Sequence, residues 1–240
     1  MKQILIIGVF CSIFSCNAQL TDSTFLDTDR IEYFDIKKFN EEAKGKSAYT
    51  ITDNEGNQIQ QFRGSSGGYV RRVIPANSNI TYITTFYPNG NLRSKAKELS
   101  SMFYGQSPNY DINGKLISTD NYDKGYKVTI EEIRQRVLNE FGVDIYAKNN
   151  QHIDVSRNIN IPSILKISDK TYNLYKVTIP ADEPEYYYEI EIDADTGKEL
   201  GRIRYWNLGM AGANDYFEQL DLYHEQQRKE QGLPTSKAGD

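Results

Sequence analysis

Cysteine and histidine are scarce in this chain, and neither is placed for chemistry. Both cysteines, Cys11 and Cys16, fall in the first sixteen residues, so the rest of the chain has no disulfide, thiol nucleophile or thiolate metal site. The two histidines, His152 and His224, lie far apart in polar stretches and read as surface residues. Neither has the H-x-x-x-H or H-E-x-x-H spacing of a metal or metalloprotease site. Basic excess is missing as well: the net charge of −5 speaks against a nucleic-acid footprint. The short basic run "YVRR" reads as a solvated strand face. "GSSGG" (Gly64 to Gly68) lacks the Lys-Ser/Thr of a phosphate loop, and Ser65 and Ser66 have no histidine partner in any recognisable motif. Asp193, Asp195 and Gly197 hint at a calcium loop, but the glycine comes one position early and Arg204 stands where a bidentate acid is needed. No cofactor and no catalytic set is expected.

Long hydrophobic runs are also few. Ile4 to Phe14 is apolar but too short to span a bilayer, and with Lys2 before it reads as a signal peptide over residues 1–15. The following "IFSC" resembles a bacterial lipobox, which implies that Cys16 is lipidated and becomes the mature N-terminus. The small residues around Ala18 also suit ordinary signal cleavage. The resemblance implies a membrane anchor through acyl chains. Asn17 after the cysteine, in place of the aspartate associated with inner-membrane retention, implies an outer-membrane lipoprotein of the cell envelope. Residues 16–30 then read as a tether.

What the chain does have is tyrosine, 18 residues of it, a type that favours strands and contact surfaces. "TYITTFY" (Thr81 to Tyr87) is β-branched and aromatic throughout, "NLRSKAKEL" follows as its return strand, and Asn89-Gly90 between them predicts a type I′ hairpin turn entered through Pro88. A second copy turns at Asn113-Gly114, 24 residues on, and in both copies leucine follows two residues after the Asn-Gly. These hairpins, through Tyr87, Asn89, Gly90 and Leu92 and then Tyr110, Asn113, Gly114 and Leu116, resemble the MORN-variant repeat. Residues 31–127 are therefore expected to form a β-rich domain.

"TIEEIRQRVLNEFG" is the clearest helix. Thr129 and Glu132 form a capping box, Ile130, Ile133, Val137, Leu138 and Phe141 share a face, and Gly142 ends it. The strands "TYNLYKVTI" and "EYYYEIEID" follow, with Tyr186, Tyr188, Ile190 and Ile192 on one side. Glu189 and Glu191 lie on the other, where Arg202 and Arg204 of the next strand are expected to pair with them. Tyr188, Ile192, Asp193, Ala194, Thr196 and Gly197 resemble the signature of a PepSY-type domain, which implies a helix-on-sheet module over residues 128–206. Residues 207–240 read as a polar helix capped by Asn214, with a thin stripe of Phe217, Leu220 and Tyr223, and a disordered tail.

The expected fold class is α+β: antiparallel hairpins, then a helix-plus-antiparallel-sheet module. "ADEPEYYYE" reads as a solvated acidic loop that can serve a basic partner. Tyr87, Arg93 and Tyr110 on the hairpins, with Asp182, Glu183, Glu185 and Tyr187 on that loop, are the candidate contacts to a protein partner. As a whole the arrangement resembles immunity proteins encoded beside secreted antibacterial toxins, which implies a non-enzymatic toxin-binding protein. The PepSY likeness implies an alternative, a protease inhibitor or envelope regulator.

Overall fold

The computed structural model describes Phe25 and residues 32–148, 152–183, 185–206 and 209–234. Cys16 and the signal segment lie outside these residues. The fold is α+β, with twelve strands in two antiparallel sheets and three helices among the described residues.

The first sheet is a meander of β1 (Ala48–Thr52), β2 (Gln58–Arg63), β3 (Tyr69–Ile74), β4 (Ile80–Phe86), β5 (Leu92–Leu99), β7 (Gln106–Tyr110) and β8 (Leu116–Asn121), with β6 (Met102–Tyr104) beside β5. Strand β4 alternates strictly, Ile80, Tyr82, Thr84 and Phe86 being buried and the residues between them half-buried, as a sheet with one packed face requires. The expected type I′ turn is corrected. Among the described non-glycine residues only Lys44, Ser100 and Asn160 have positive φ, so Asn89 does not. Gly90 N–H donates to Tyr87 O (2.9 Å) and Tyr87 N–H to Asn91 O (2.8 Å), with Gly90 alone left-handed at φ 86°. Pro88 fixes a negative φ at the first central position, which a type I′ turn cannot accept, so a longer loop closed by a left-handed glycine forms instead.

The same bonds recur at Asp111 to Lys115, with Gly114 at φ 85°, at Gly64 to Gly68, with Gly67 at φ 82°, and at Asp53 to Asn57, with Gly56 at φ 84°. The turn motif therefore occurs four times, and the Asp53–Asn57 turn between β1 and β2 stands apart from the other three. The three turns join β2 to β3, β4 to β5 and β7 to β8, so all lie at one end of the sheet. Gly68 next to them is obligatory, because a Cβ there would fall 2.1 Å from Phe86 O.

The second sheet has the order β12-β11-β10-β9, built from β9 (Asp154–Pro162), β10 (Thr171–Pro180), β11 (Tyr186–Asp193) and β12 (Glu199–Trp206). Strand β9 lies between the helix and the two strands that the sequence points to. Helix α1 (Ile36–Ala43) is capped by Asp35, whose carboxylate accepts from Lys38 N–H at 2.9 Å. Helix α2 (Ile130–Phe141) begins at Thr129 with the full capping box and ends at Gly142 in the left-handed region, as its sequence predicts. Helix α3 (Gly209–Glu230) starts five residues before Asn214, which is therefore not its cap.

One core joins the two sheets. Ile80, Tyr82 and Leu99 of the first sheet, Ile133 and Val137 of α2, and Val155, Tyr175, Val177 and Ile190 of the second form one buried cluster. Phe25 belongs to it, 4% exposed with its ring 4.8 Å from that of Tyr82, although it falls in the stretch expected to be a tether. A second cluster, around Phe34, Phe39, Tyr69, Phe86 and Leu92, packs α1 and the incoming chain on the same face of the first sheet.

Candidate partner surfaces

The face of the first sheet opposite the core carries Phe62, Val70, Arg72, Ile83, Thr85, Ser94 and Glu98. They are half-buried, and none belongs to either core cluster. Near the row of turns this face dips into a hollow of about 360 Å³, lined by Ser65, Ser66, Val70, Thr85, Arg93 and Asn109, among others. Arg93 is exposed, lies over the Tyr87 ring (5.8 Å) and donates to Ser66 Oγ at 3.2 Å. Thr85 and Ser94 share a 2.6 Å hydrogen bond across β4 and β5. The Tyr87 hydroxyl donates to Tyr110 O at 2.9 Å, so the ring is fixed rather than free to swing.

The structure thus brings Tyr87 and Arg93 together, and although Tyr87 bonds to the Tyr110 backbone, the Tyr110 side chain turns away from them. The Tyr110 side chain is 2% exposed and packs in the core with Phe86 and Leu92, so it is not a contact residue. The shift has a local cause. Leu92 and Tyr110 fall on the packed side of the hairpin ends, and the register slips one residue at each of these hairpins, between Thr85 and Phe86 and between Asn109 and Tyr110.

Asp182, Glu183 and Glu185 are all exposed on the loop between β10 and β11 of the other sheet. Glu183 pairs with Arg204 at 3.0 Å, and Arg204 lies 3.8 Å above the Tyr186 ring. Tyr187 is half-buried between the rings of His152 (6.4 Å) and Tyr205 (6.5 Å). The acidic loop and the Arg93 hollow are therefore two surfaces on different sheets.

The expected pairing of Glu189 and Glu191 with Arg202 and Arg204 does not occur. Arg204 stands opposite Tyr188 and Arg202 opposite Ile190, on the α2 side of the sheet. Arg202 instead pairs with Glu199 and with Glu140 of α2. Directly opposite residues share a face, and the arginines fall in register with the apolar set rather than with the acids. Glu189 and Glu191 point the other way and are 4% and 2% exposed. Lys176 Nζ lies 2.8 Å from Glu189, and the Tyr216 hydroxyl of α3 donates to it at 2.8 Å. Burial and the nearby Glu189 charge push the Tyr216 phenol above its ordinary range. Glu191 accepts from Ser163 Oγ and from the N–H groups of Ile164 and Leu165 (3.3 and 3.0 Å).

Helix α3 is held through polar groups and through the Tyr216 ring, which packs edge-on against Tyr205 at 5.1 Å. His224 Nε2 donates to Ile164 O (2.7 Å) and Gln227 Nε2 to Leu165 O (2.6 Å), whereas Phe217 and Leu222 are exposed. His224 is thus a docking residue, not a free surface one. The sequence signal that points to this role is the i, i+7, i+8 and i+11 spacing of Tyr216, Tyr223, His224 and Gln227, one face of a helix.

The PepSY-like signature residues have structural work. Tyr188 packs on Phe141 of α2 (5.5 Å), Ile192 and Ala194 are buried, and Ala194 O accepts from Lys127 and Val128 N–H (3.0 and 2.8 Å). Asp193 closes the turn by accepting from Asp195 N–H and Thr196 Oγ1 (2.9 and 2.7 Å), with Gly197 left-handed at φ 70°. Comparison with known protein families, with curated proteins and with solved structures returned no match to this chain. No helix among the described residues is long and apolar enough to cross a membrane.

Proposed function

We propose that this is an exported, lipid-anchored cell-envelope protein that binds a protein partner, and that the partner is a secreted antibacterial toxin which it neutralises as an immunity protein. The observation that carries the reading is the open face of the first sheet, where a row of three equivalent turns frames a polar hollow with Arg93 at its rim. A rigid, hairpin-built face with one exposed guanidinium over an aromatic ring suits recognition of another protein, since arginine and tyrosine are favoured anchors of interfaces. The likeness of the hairpins to MORN-variant repeats and the lipobox-like "IFSC" support the same reading. The chemistry asked of the chain is occlusion. It acts by covering the toxin, and Asp182, Glu183 and Glu185 supply a second contact of opposite charge.

The test is co-expression with each secreted toxin encoded beside the gene, read as survival, followed by co-purification. The expected result is protection by one toxin's pairing and a stoichiometric complex, lost in Arg93→Glu with folding unchanged. Unprotected cells for every pairing, together with no complex, would sink the proposal. A second reading is restraint of a protease by the module Val128 to Trp206, favoured by its helix-on-sheet build and acidic loop. An envelope protease whose rate is unchanged at saturating protein would remove it.

A further inference from the structure

Strand β8 is an open edge of unusual character. Among the described residues it pairs only with β7, and all six of its own residues are exposed. Natural edge strands are guarded by lysine, proline or a covering element. Strand β8, "LISTDN", has no lysine or proline, and Ile117 stands 63% exposed on it. Its one charge, Asp120, is taken up by Asn109 Nδ2 at 3.0 Å. Lys115 stands just before β8, as Lys46 does near β1, but the β1 edge is also touched by α1.

Exposed apolar residues gather along the β8 side. Six of the twelve large ones among the described residues are Ile112, Leu116 and Ile117 at one end of β8, with Phe103, Tyr122 and Ile159 at the other. The latter three line a groove of about 440 Å³ between β6 and β9, where Phe103 and Tyr122 stack at 5.3 Å.

We infer that β8 is the contact between two copies of this chain, paired antiparallel about a two-fold axis through Thr119. Two observations select a second copy over an unrelated strand. First, antiparallel two-fold pairing brings the Ile112–Leu116–Ile117 end of each copy beside the Phe103–Tyr122–Ile159 end of the other, so both apolar groups are covered at once. Second, the register is self-compatible. Thr119 meets Thr119, a favourable cross-strand pair, and Ser118 meets Asp120 of the second copy, so no like charges oppose. The result is one sheet running through both copies, which leaves the Arg93 hollows free. This inference is independent of the toxin-binding reading.

The experiment uses the full chain with Cys11 and Cys16 replaced by serine, in a mild detergent, measured by sedimentation over a dilution series. The wild-type body is expected to be a dimer that dissociates on dilution. Thr119→Pro, which blocks the strand pairing, and Ile117→Lys should each be monomeric with an unchanged circular dichroism spectrum. Association through the signal segment would persist in both variants and so would overturn the inference, as would a wild type that stays monomeric throughout. Should Thr119→Pro unfold, Thr119→Cys decides. It is expected to form a disulfide-linked dimer under mild oxidation, whereas Ile51→Cys on the β1 edge is not, and failure of Thr119→Cys to cross-link overturns the register.

Discussion

The two sheets bury charge of opposite sign. On its packed face the first sheet hides Lys95 and Lys97, 0% and 7% exposed, and the incoming chain lays Glu32 against Lys95 at 3.1 Å and against Arg71. On its α3 side the second sheet hides Glu189 and Glu191, and the loop before β10 together with the C-terminal helix supplies the donors. On the first sheet the counter-charge comes from the incoming chain, whereas on the second it comes from Lys176 of β10 in the same sheet, and α3 adds the neutral Tyr216 hydroxyl. Buried ions are tolerable only with such partners. The core between the sheets, by contrast, is held by aliphatic and aromatic packing.

The largest effect expected on this comparison comes from the repetitive sheet. Gly68→Ala should cost about 3 kcal/mol or more by denaturant unfolding, since the added methyl meets backbone oxygen at 2.1 Å, whereas core overpacking usually costs about 1–3 kcal/mol. Gly114→Ala, with open space around it, should lose only about 1 kcal/mol from its left-handed backbone. Equal losses at the two sites would mean that the turns tolerate displacement.

Glu32 comes next. Burial pushes its carboxyl up, but the Arg71 and Lys95 charges outweigh this and hold it below its ordinary value of 4.5. Its contribution is therefore fully present above about pH 4.5 and is lost as pH falls through the lower folded value. Glu32→Gln should lower stability at neutral pH by about 2 kcal/mol and flatten the acid limb of the unfolding curve. An unchanged acid limb would place the sensitivity elsewhere, for instance at Asp144, which Arg134 likewise holds low.

The smallest effect is on the other sheet. Tyr216→Phe removes one hydrogen bond to Glu189 and should cost about 1 kcal/mol. Hydrogen exchange should quicken in α3 and β12 and leave β4 and β5 untouched. Exchange that quickens throughout would show that α3 unfolds only with the whole molecule.

Much of this fold could be read from the chain because its signals are local. The α2 boundaries follow from Thr129, Glu132 and Gly142, and the hairpin strands from β-branched runs around Asn-Gly. What escaped depends on partners distant in sequence. Strand β9 is diluted by Arg157 and four other polar residues, and its place is set by pairing with β10. The facing of Arg202 and Arg204 depends on a register that a slip at Glu191 and Ile192 helps to fix. Of the candidate contacts, Tyr87 and Arg93 lie together and the acidic trio is exposed, but Tyr110 could not be told from an exposed tyrosine without knowing which side of its hairpin end is covered.

The seat of Phe25 in the core has a consequence for reach. If Cys16 carries the lipid, only nine residue steps separate the anchor from the folded body, about 30 Å at full extension. That is about the thickness of the bilayer's hydrocarbon layer. Such a leash keeps the protein a skimmer of the membrane surface, and it meets only what arrives there.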